Sequence, residues 1–302
     1  MTNVVAVGIV SISSIIPRGQ FEAGTNYLAK AGYALKVAPN VAGPEVAPPA
    51  ERARLLEKFW LDPEIDVLLF SRGGQGADEV LPLLDWDALR ARPDLPVVGF
   101  SDVTLLLNAM LAKGVGHPFS GPMLSYAGAL SPAAESWYFA ALSGGPLPDV
   151  KTTPLPPAPQ PPGAAAQAAP GAVSGLPMGG HIERMHRLIG TGLLPSAAGR
   201  VVFLECTAKY PPAQVRKCLE ELRDAGAFEG AAGVVFCDFR HTGAVRAAID
   251  AFLPGFAATL PCPAFSGFPY GHTHDSRMLD FRRTVSIAPD GTVSWAAPAV
   301  AR

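Results

Sequence analysis

In Leu95-Pro-Val-Val-Gly-Phe-Ser101-Asp102-Val-Thr104-Leu-Leu-Leu an apolar strand pattern runs straight into an apolar helix pattern, with a serine at the corner. A tight strand-to-helix turn exposes a side chain, and the helix N-terminus offers backbone N–H groups and a positive dipole to a developing oxyanion. Ser101 is therefore a candidate nucleophile. The G-x-S-x-G pattern of α/β-hydrolases is not met, because Val103 stands where the second glycine belongs. Taken alone, the segment reads at least as well as a helix capped by Ser101 or Asp102. A second corner, Leu68-Leu-Phe-Ser71-Arg72-Gly73-Gly74-Gln75-Gly76, has three glycines that let the backbone approach a ligand and turn N–H groups toward it. It lacks the Walker Lys-Ser/Thr and the G-x-G-x-x-G spacing. A tight turn, or a backbone contribution to an oxyanion hole beside Ser101, fits it better than a nucleotide loop.

A serine nucleophile needs a base, and a histidine base needs a carboxylate to hold its tautomer. His272 stands in Gly267-Phe-Pro-Tyr-Gly271-His272-Thr-His274-Asp275, directly after a strand pattern, and His274 is its nearest rival. His117, His181, His186 and His241 read as solvated or structural. For the carboxylate, Glu205 ends Val201-Val-Phe-Leu204 and Asp238 ends Val234-Val-Phe-Cys237, where an acid is expensive unless paired. Pattern alone does not choose between them. Glu220, Glu221 and Asp224 lie with Lys217 and Arg223 on a solvated helix face. His272-Thr-His274-Asp275 is one residue short of the H-x-H-x-D segment of binuclear metallohydrolases, and no further histidine follows, so no catalytic metal is expected.

These residues must be positioned by a chain of 302 residues, 49% hydrophobic and 17% charged, long enough for one large or two ordinary domains. Lys and Arg number 24 against 26 Asp and Glu, a net charge of -2, so no general electrostatic reason favours nucleic acid. No window reaches the roughly 18 to 20 apolar residues of a membrane span. The first apolar run, Val4–Val10, lacks a basic n-region and a cleavage site, and reads as a strand rather than a signal peptide. Cys206, Cys218, Cys237 and Cys262 have neither zinc-site spacing nor disulfide-scaffold density, and read as buried thiols of a reduced, cytoplasmic compartment.

Before residue 150, short apolar runs alternate with helical patterns near Gln20–Ala31, Pro49–Leu61, Ala77–Leu84 and Val103–Lys113, which argues for a parallel sheet covered by helices. A Pro- and Ala-rich stretch with no hydrophobic period follows, expected as a stiff connection. Beyond it come a helix near His181–Ile189, a strand Arg200–Leu204, a helix Pro212–Ala225, a strand Gly233–Phe236, a helix Ala244–Phe252 and a strand Ala264–Phe268. Arg282–Ile287 and Val293–Ala296 flank Pro289-Asp-Gly291 as a terminal hairpin. The expected architecture is α/β in two domains. Residues 1–150 form an N-terminal parallel-sheet domain with a nucleophile elbow, 151–177 a linker, and 178–302 a C-terminal α/β domain ending in the hairpin.

Together the motifs resemble the LD-carboxypeptidase family of serine peptidases, which includes the microcin-immunity hydrolases. The match runs through Ser71-Arg-Gly-Gly-Gln-Gly76, Leu81-Pro-Leu-Leu-Asp85, Gly99-Phe-Ser-Asp-Val-Thr104, Ser120-Gly-Pro-Met123, Gly179-Gly180, Phe203-Leu-Glu205 and Gly267-Phe-Pro-Tyr-Gly-His272, in the family's order over nearly the whole chain. The resemblance implies a Ser101–His272–Glu205 triad, with Ser101 on the first domain and Glu205 and His272 on the second. It implies an oxyanion hole from the backbone N–H of Asp102 and of Gly73 or Gly74. Family members release a terminal D-alanine from cytoplasmic murein tetrapeptides during wall recycling, so a muropeptide is the implied partner, with no cofactor, no metal, no nucleic acid and no membrane; a homodimer is compatible with this. Two alternatives are a hydrolase of peptidyl or aminoacyl nucleotides of the microcin type, which would need an aromatic platform from Trp60, Trp86, Trp137 or Trp295, and a non-catalytic muropeptide-binding protein. Gln75 replaces the family's tyrosine, Cys206-Thr207 its Asp-Val, and His181 its asparagine, while Met278-Leu-Asp-Phe-Arg-Arg283 stands where its Thr-Leu-Pro segment belongs.

Overall fold

The computed structural model describes residues 4–156 and 172–297. In the first half, strands β1 (Ala6–Val10), β2 (Ala34–Val37), β3 (Val67–Phe70), β4 (Pro96–Gly99) and β5 (His117–Ser120) alternate with helices α1 (Arg18–Lys30), α2 (Pro49–Trp60), α3 (Ala77–Val80), α4 (Trp86–Leu89) and α5 (Thr104–Lys113), and α6 (Pro132–Leu142) follows. The second half contains β6 (Val150–Lys151), β7 (Thr153–Pro154), β8 (Val173–His181), α7 (Ile182–His186), β9 (Arg200–Cys206), α8 (Pro212–Asp224), β10 (Gly233–Phe239), α9 (Gly243–Ala257), β11 (Ala264–Ser266), β12 (Leu279–Asp280), β13 (Val285–Ile287) and β14 (Thr292–Trp295). Two sheets result, ordered β12-β5-β4-β3-β1-β2 and β6-β14-β13-β8-β9-β10-β11-β7. The architecture is thus α/β in two domains.

In the first sheet β1 to β5 are parallel. Helices on both faces of such a sheet let its central strands be continuous apolar runs, as β3 (Val-Leu-Leu-Phe) is. The strand order reverses between β1 and β3, and in open α/β sheets ligands bind beyond the carboxyl ends of the strands at such a point. The glycine loop after β3 and Ser101 after β4 both lie at these ends. The second sheet is mixed, with β8, β9, β10 and β11 parallel and β13, β14, β6 and β7 antiparallel to their neighbours. Helix α8 covers it with Val215, Cys218, Leu219 and Leu222, a 3.6-residue stripe.

Several elements depart from the sequence expectation. Of the stretch 151–177, residues 157–171 lie outside the described residues, while its described ends are strand: β7 and the start of β8 pair into the second sheet, as does β6 at the boundary. The Gly and Pro content of Val173–His181 reads as a breaker, yet β8 is a central strand because β9 and β13 flank it. Residues expected as one helix over Ala77–Leu84 form α3 and then a 3-10 turn at Leu81–Leu83 that contains Pro82. Helix α9 runs on through Pro254. Strand β12 returns to the first sheet and pairs antiparallel with β5, so that sheet is not purely parallel.

The two halves meet where α5 begins. Asn108 donates to the Gly179 carbonyl at 2.9 Å, and Thr104 Oγ1 accepts from the His181 N–H at 3.2 Å. Thr104 and Asn108 are buried, where an unpaired polar group costs about 1–3 kcal/mol, so these bonds fix β8 against the helix that starts beside Ser101. Three cysteines are buried and Cys262 is half-buried. Among the described residues no helix is long and apolar enough to cross a membrane.

Candidate active site

Ser101 sits at the turn from β4 into α5 with φ 60°, and it is the one non-glycine residue among those described with a positive φ. Such a conformation costs about 1–3 kcal/mol at a non-glycine residue and persists only where the surroundings enforce it. Gly99 is part of the enforcement. A Cβ there would stand 2.5 Å from Val103 Cγ1 and 3.1 Å from Phe70 Cδ2, so the missing side chain makes room for Val103. That is the local reason the G-x-S-x-G pattern is not required at its second glycine.

The corner brings three expected residues into one line. His272 Nε2 lies 2.9 Å from Ser101 Oγ, and His272 Nδ1 lies 2.8 Å from Glu205 Oε2. With the proton on Nδ1 and donated to the carboxylate, Nε2 is left to accept from the serine hydroxyl. Glu205 is completely buried at the penultimate position of β9. Burial pushes its carboxyl up, but the imidazoles of His272 and His181, and the hydrogen bond from His272, outweigh that and hold it below the ordinary value. Phe100 packs on the His272 ring at a centroid distance of 4.8 Å and leaves its Nε2 edge toward Ser101.

Asp238, the other strand-ending acid, is not in this line. The register of β10 on β9 shifts between Phe236 and Phe239, and at this irregularity the Asp238 carboxylate turns to Arg240, 3.4 Å away. His274 lines the same cleft, with its ring 5.9 Å from that of Tyr126, but Asp275 pairs with Arg277 at 2.9 Å and with Ser131. Among the described residues no three His, Cys, Asp or Glu side chains converge as metal ligands. His117 pairs with Asp280, His186 with Glu221, and His241 with the Tyr210 carbonyl.

The glycine loop closes over the serine. A Cβ on Gly73 would fall 2.9 Å from Ser101 Cβ, 3.0 Å from Ser101 Oγ and 3.3 Å from the Asp102 nitrogen. The missing side chain therefore leaves a small space beside both the hydroxyl and the Asp102 N–H. Gly73 and Gly74 N–H find no acceptor among the described residues. The Gln75 N–H differs, because Ser14 Oγ accepts it at 3.2 Å. Backbone donors in this position can stabilise negative charge on an oxygen bonded next to Oγ.

These groups line a cleft of about 420 Å³ with no carboxylate among its lining residues. Its cations include Arg72 and Lys209, neither with a carboxylate partner among the described residues, and Arg240. His181, in the family's asparagine position, is nearly buried beside His272, with ring centroids 5.8 Å apart. Burial lowers its pKa to about 4, so it is neutral near pH 7, and its Nδ1 has no partner. The sequence reading did not single out Lys209, Arg240, Tyr126 or Tyr210. Lys209, Arg240 and Tyr210 come from loops and Tyr126 from a single 3-10 turn, where no hydropathy period marks a residue that faces a cleft. None of the four tryptophans lines it, and Trp60 and Trp137 are core residues.

The family model of the LD-carboxypeptidase N-terminal domain matches residues 7–121, and that of the LD-carboxypeptidase C-terminal domain matches residues 174–287. The murein tetrapeptide carboxypeptidase of Pseudomonas aeruginosa is 26% identical over 240 residues, which cover 74% of this chain and 73% of that protein. The crystal structure of muramoyltetrapeptide carboxypeptidase from Oxalobacter formigenes superposes with a TM-score of 0.79 at 21% identity, over 96% of this chain and 98% of its own. An MccF-like protein from Bacillus anthracis gives the same TM-score at 16% identity, with 98% of each chain covered. At these identities the structural likeness is one of fold.

Proposed function

This chain belongs to the LD-carboxypeptidase family, and from that premise we propose that it is a serine carboxypeptidase that releases the terminal D-alanine of murein tetrapeptides in the cytoplasm. The observation that carries the proposal is the hydrogen-bonded line Ser101–His272–Glu205 opening on a cleft whose unpaired charges are cationic. Murein peptides carry several free carboxylates, and such a cleft favours them over neutral peptides.

In this reading His272 Nε2 takes the Ser101 proton as Oγ attacks the scissile carbonyl, and Glu205 stabilises the imidazolium. The N–H groups of Asp102 and of Gly73 or Gly74 receive the oxyanion. His272 then passes the proton to the departing D-alanine amine. Water, deprotonated by the same imidazole, attacks the acyl-serine ester, and Ser101 is regenerated with release of the shortened peptide. The nucleotide alternative would have to use Tyr126 or Tyr210, which line the cleft, as a platform for a base, since no indole does. A binding module has no use for an imidazole aligned between a strained serine and a buried acid.

The test is a mass-spectrometric screen of the purified protein against muropeptides of defined length and stereochemistry. Loss of one D-alanine from tetrapeptides alone is the expected result, and intact muropeptides alongside a cleaved aminoacyl nucleotide would replace the proposal with its alternative. Two accompanying results are expected. Chelators leave the rate unchanged, because serine is the nucleophile and His272 needs a free nitrogen. His272→Ala loses activity by a factor on the order of 10³ or more, whereas His274→Ala stays within tenfold of wild type. Inactivation by chelation with restoration by zinc would overturn the serine assignment.

A further inference from the structure

Beside the Ser101 line lies a second buried set of polar side chains that the reaction above leaves unused. Arg184, in α7, is only 3% exposed, and each of its three nitrogens meets an oxygen. Nε stands 2.8 Å from Asp102 Oδ1, Nη1 2.7 Å from Glu183 Oε2, and Nη2 donates to the Gly74 carbonyl at 2.8 Å. Burying a guanidinium is expensive unless it is paired: Nη1 and Nη2 donate to Glu183 and to the Gly74 carbonyl, while Asp102 Oδ1 faces Nε as an ion pair without hydrogen-bond geometry. Glu183 lies on the second domain with Arg184, but Asp102 and Gly74 lie on the first.

Those two partners are the residues that follow Ser101 and Gly73. The Asp102 carboxylate is also held by Ser13 Oγ at 2.7 Å and by the Ala77 N–H at 3.0 Å. The peptide between Gly74 and Gln75 is gripped at both ends, its carbonyl by Arg184 and its N–H by Ser14 Oγ. A loop of adjacent glycines has little intrinsic preference for one peptide orientation, and Gly74 itself has a φ of 123°. A contact that fixes one peptide plane therefore narrows the directions open to the preceding N–H groups.

Resting on the serine-hydrolase reading above, we propose that Arg184 is a positioning residue for the oxyanion hole. It reaches from the domain that carries His272 and Glu205 and holds the Gly73–Gly74 segment and the backbone at Asp102 in register with the imidazole. Arg184 borders the cleft but is only 3% exposed, with its three nitrogens turned to protein oxygens, so it acts through those groups rather than on the peptide, and its loss lowers the rate of attack and leaves substrate affinity in place. Removing one oxyanion donor typically costs about 10² to 10³ in kcat, and misplacement by about 1 Å costs a similar factor.

The experiment uses the full chain with Arg184→Gln, Arg184→Gly and Arg184→Lys, each checked for folding by circular dichroism and thermal melting. Two rates are read: D-alanine release from murein tetrapeptide, resolved into kcat and KM, and covalent labelling of Ser101 by a fluorophosphonate. Folded Arg184→Gln is expected to lose about 10² in kcat with KM within threefold, and to lose labelling rate in parallel. Millimolar guanidinium is expected to restore Arg184→Gly at least tenfold and to leave Ser101→Ala inactive. If Arg184→Gln does not fold, Arg184→Lys decides: a tenfold or larger loss of kcat at unchanged KM supports the proposal, and wild-type kcat overturns it. A raised KM with kcat retained in any folded variant also overturns it, because Arg184 would then bind substrate. Labelling needs no particular peptide, so a wild type that labels while Arg184→Gln does not upholds the proposal even if the substrate is not a muropeptide. A wild type that neither labels nor hydrolyses removes the serine-hydrolase reading and this proposal with it.

Discussion

Ser101→Ala is expected to abolish hydrolysis, with a loss in kcat on the order of 10⁶, while the protein stays folded. The magnitude follows from the removal of the covalent route, since His272 and Glu205 then have no nucleophile to activate. The fold should survive because the substitution deletes one partly exposed hydroxyl at a corner whose conformation is set by Gly99, Val103 and Phe70. Alanine inherits the same positive φ, so neither relief nor extra strain is introduced. Fluorophosphonate should label the wild type and not this variant. Activity within tenfold of wild type in a folded Ser101→Ala protein would remove serine from the mechanism.

Glu205→Gln is expected to lower kcat by a factor on the order of 10³ to 10⁴, by analogy with the serine-protease triad, and Asp238→Asn to have an effect of less than tenfold. The amide is close to isosteric with the carboxylate but carries a donor. If its NH₂ faces His272 Nδ1, the imidazole takes the tautomer with the proton on Nε2 and cannot accept from Ser101. If its carbonyl faces Nδ1, the tautomer is right but the imidazolium loses its counter-charge in a buried setting. Asp238 keeps company with Arg240 instead, and neutralising it removes a half-exposed pair of small energetic weight. The comparison is made on kcat for variants with matching circular dichroism and melting temperature. The reverse ranking would move the orienting role to Asp238.

Much of this was legible in the sequence where local chemistry and the fold agree. The run Pro96–Gly99 into Thr104–Lys113 announced a strand, a corner and a helix because both elements are mostly apolar, and a buried parallel strand and a buried helix are written that way. What separates Glu205 from Asp238 was not legible. Both end a Val-Val-Phe run, and the shift of register in β10 that turns Asp238 away depends on its partner strand, not on its own residues. Strand β8 was missed for the opposite reason, since its Gly-Leu-Pro-Met-Gly-Gly segment has poor intrinsic strand preference and is held extended by neighbours on both sides. The contacts of Arg184 to the first domain left no trace in any period, because Asp102 and Gly74 come from chain segments far from it in sequence.

Strand β12 bears on how the protein is made. Residues 6–120 supply five neighbouring strands of the first sheet, and among the described residues the outer edge of β5 is capped by Leu279 and Asp280 alone. As the chain leaves the ribosome, that edge, adjacent to the strand that leads into Ser101, presents open backbone donors and acceptors until residues 279 and 280 have emerged. An open edge of this kind invites pairing with a neighbouring chain. A nascent or prematurely terminated first half is thus the form of this protein most exposed to aggregation, and a stop codon anywhere before residue 279 leaves the edge open as well as removing His272 or whatever follows it.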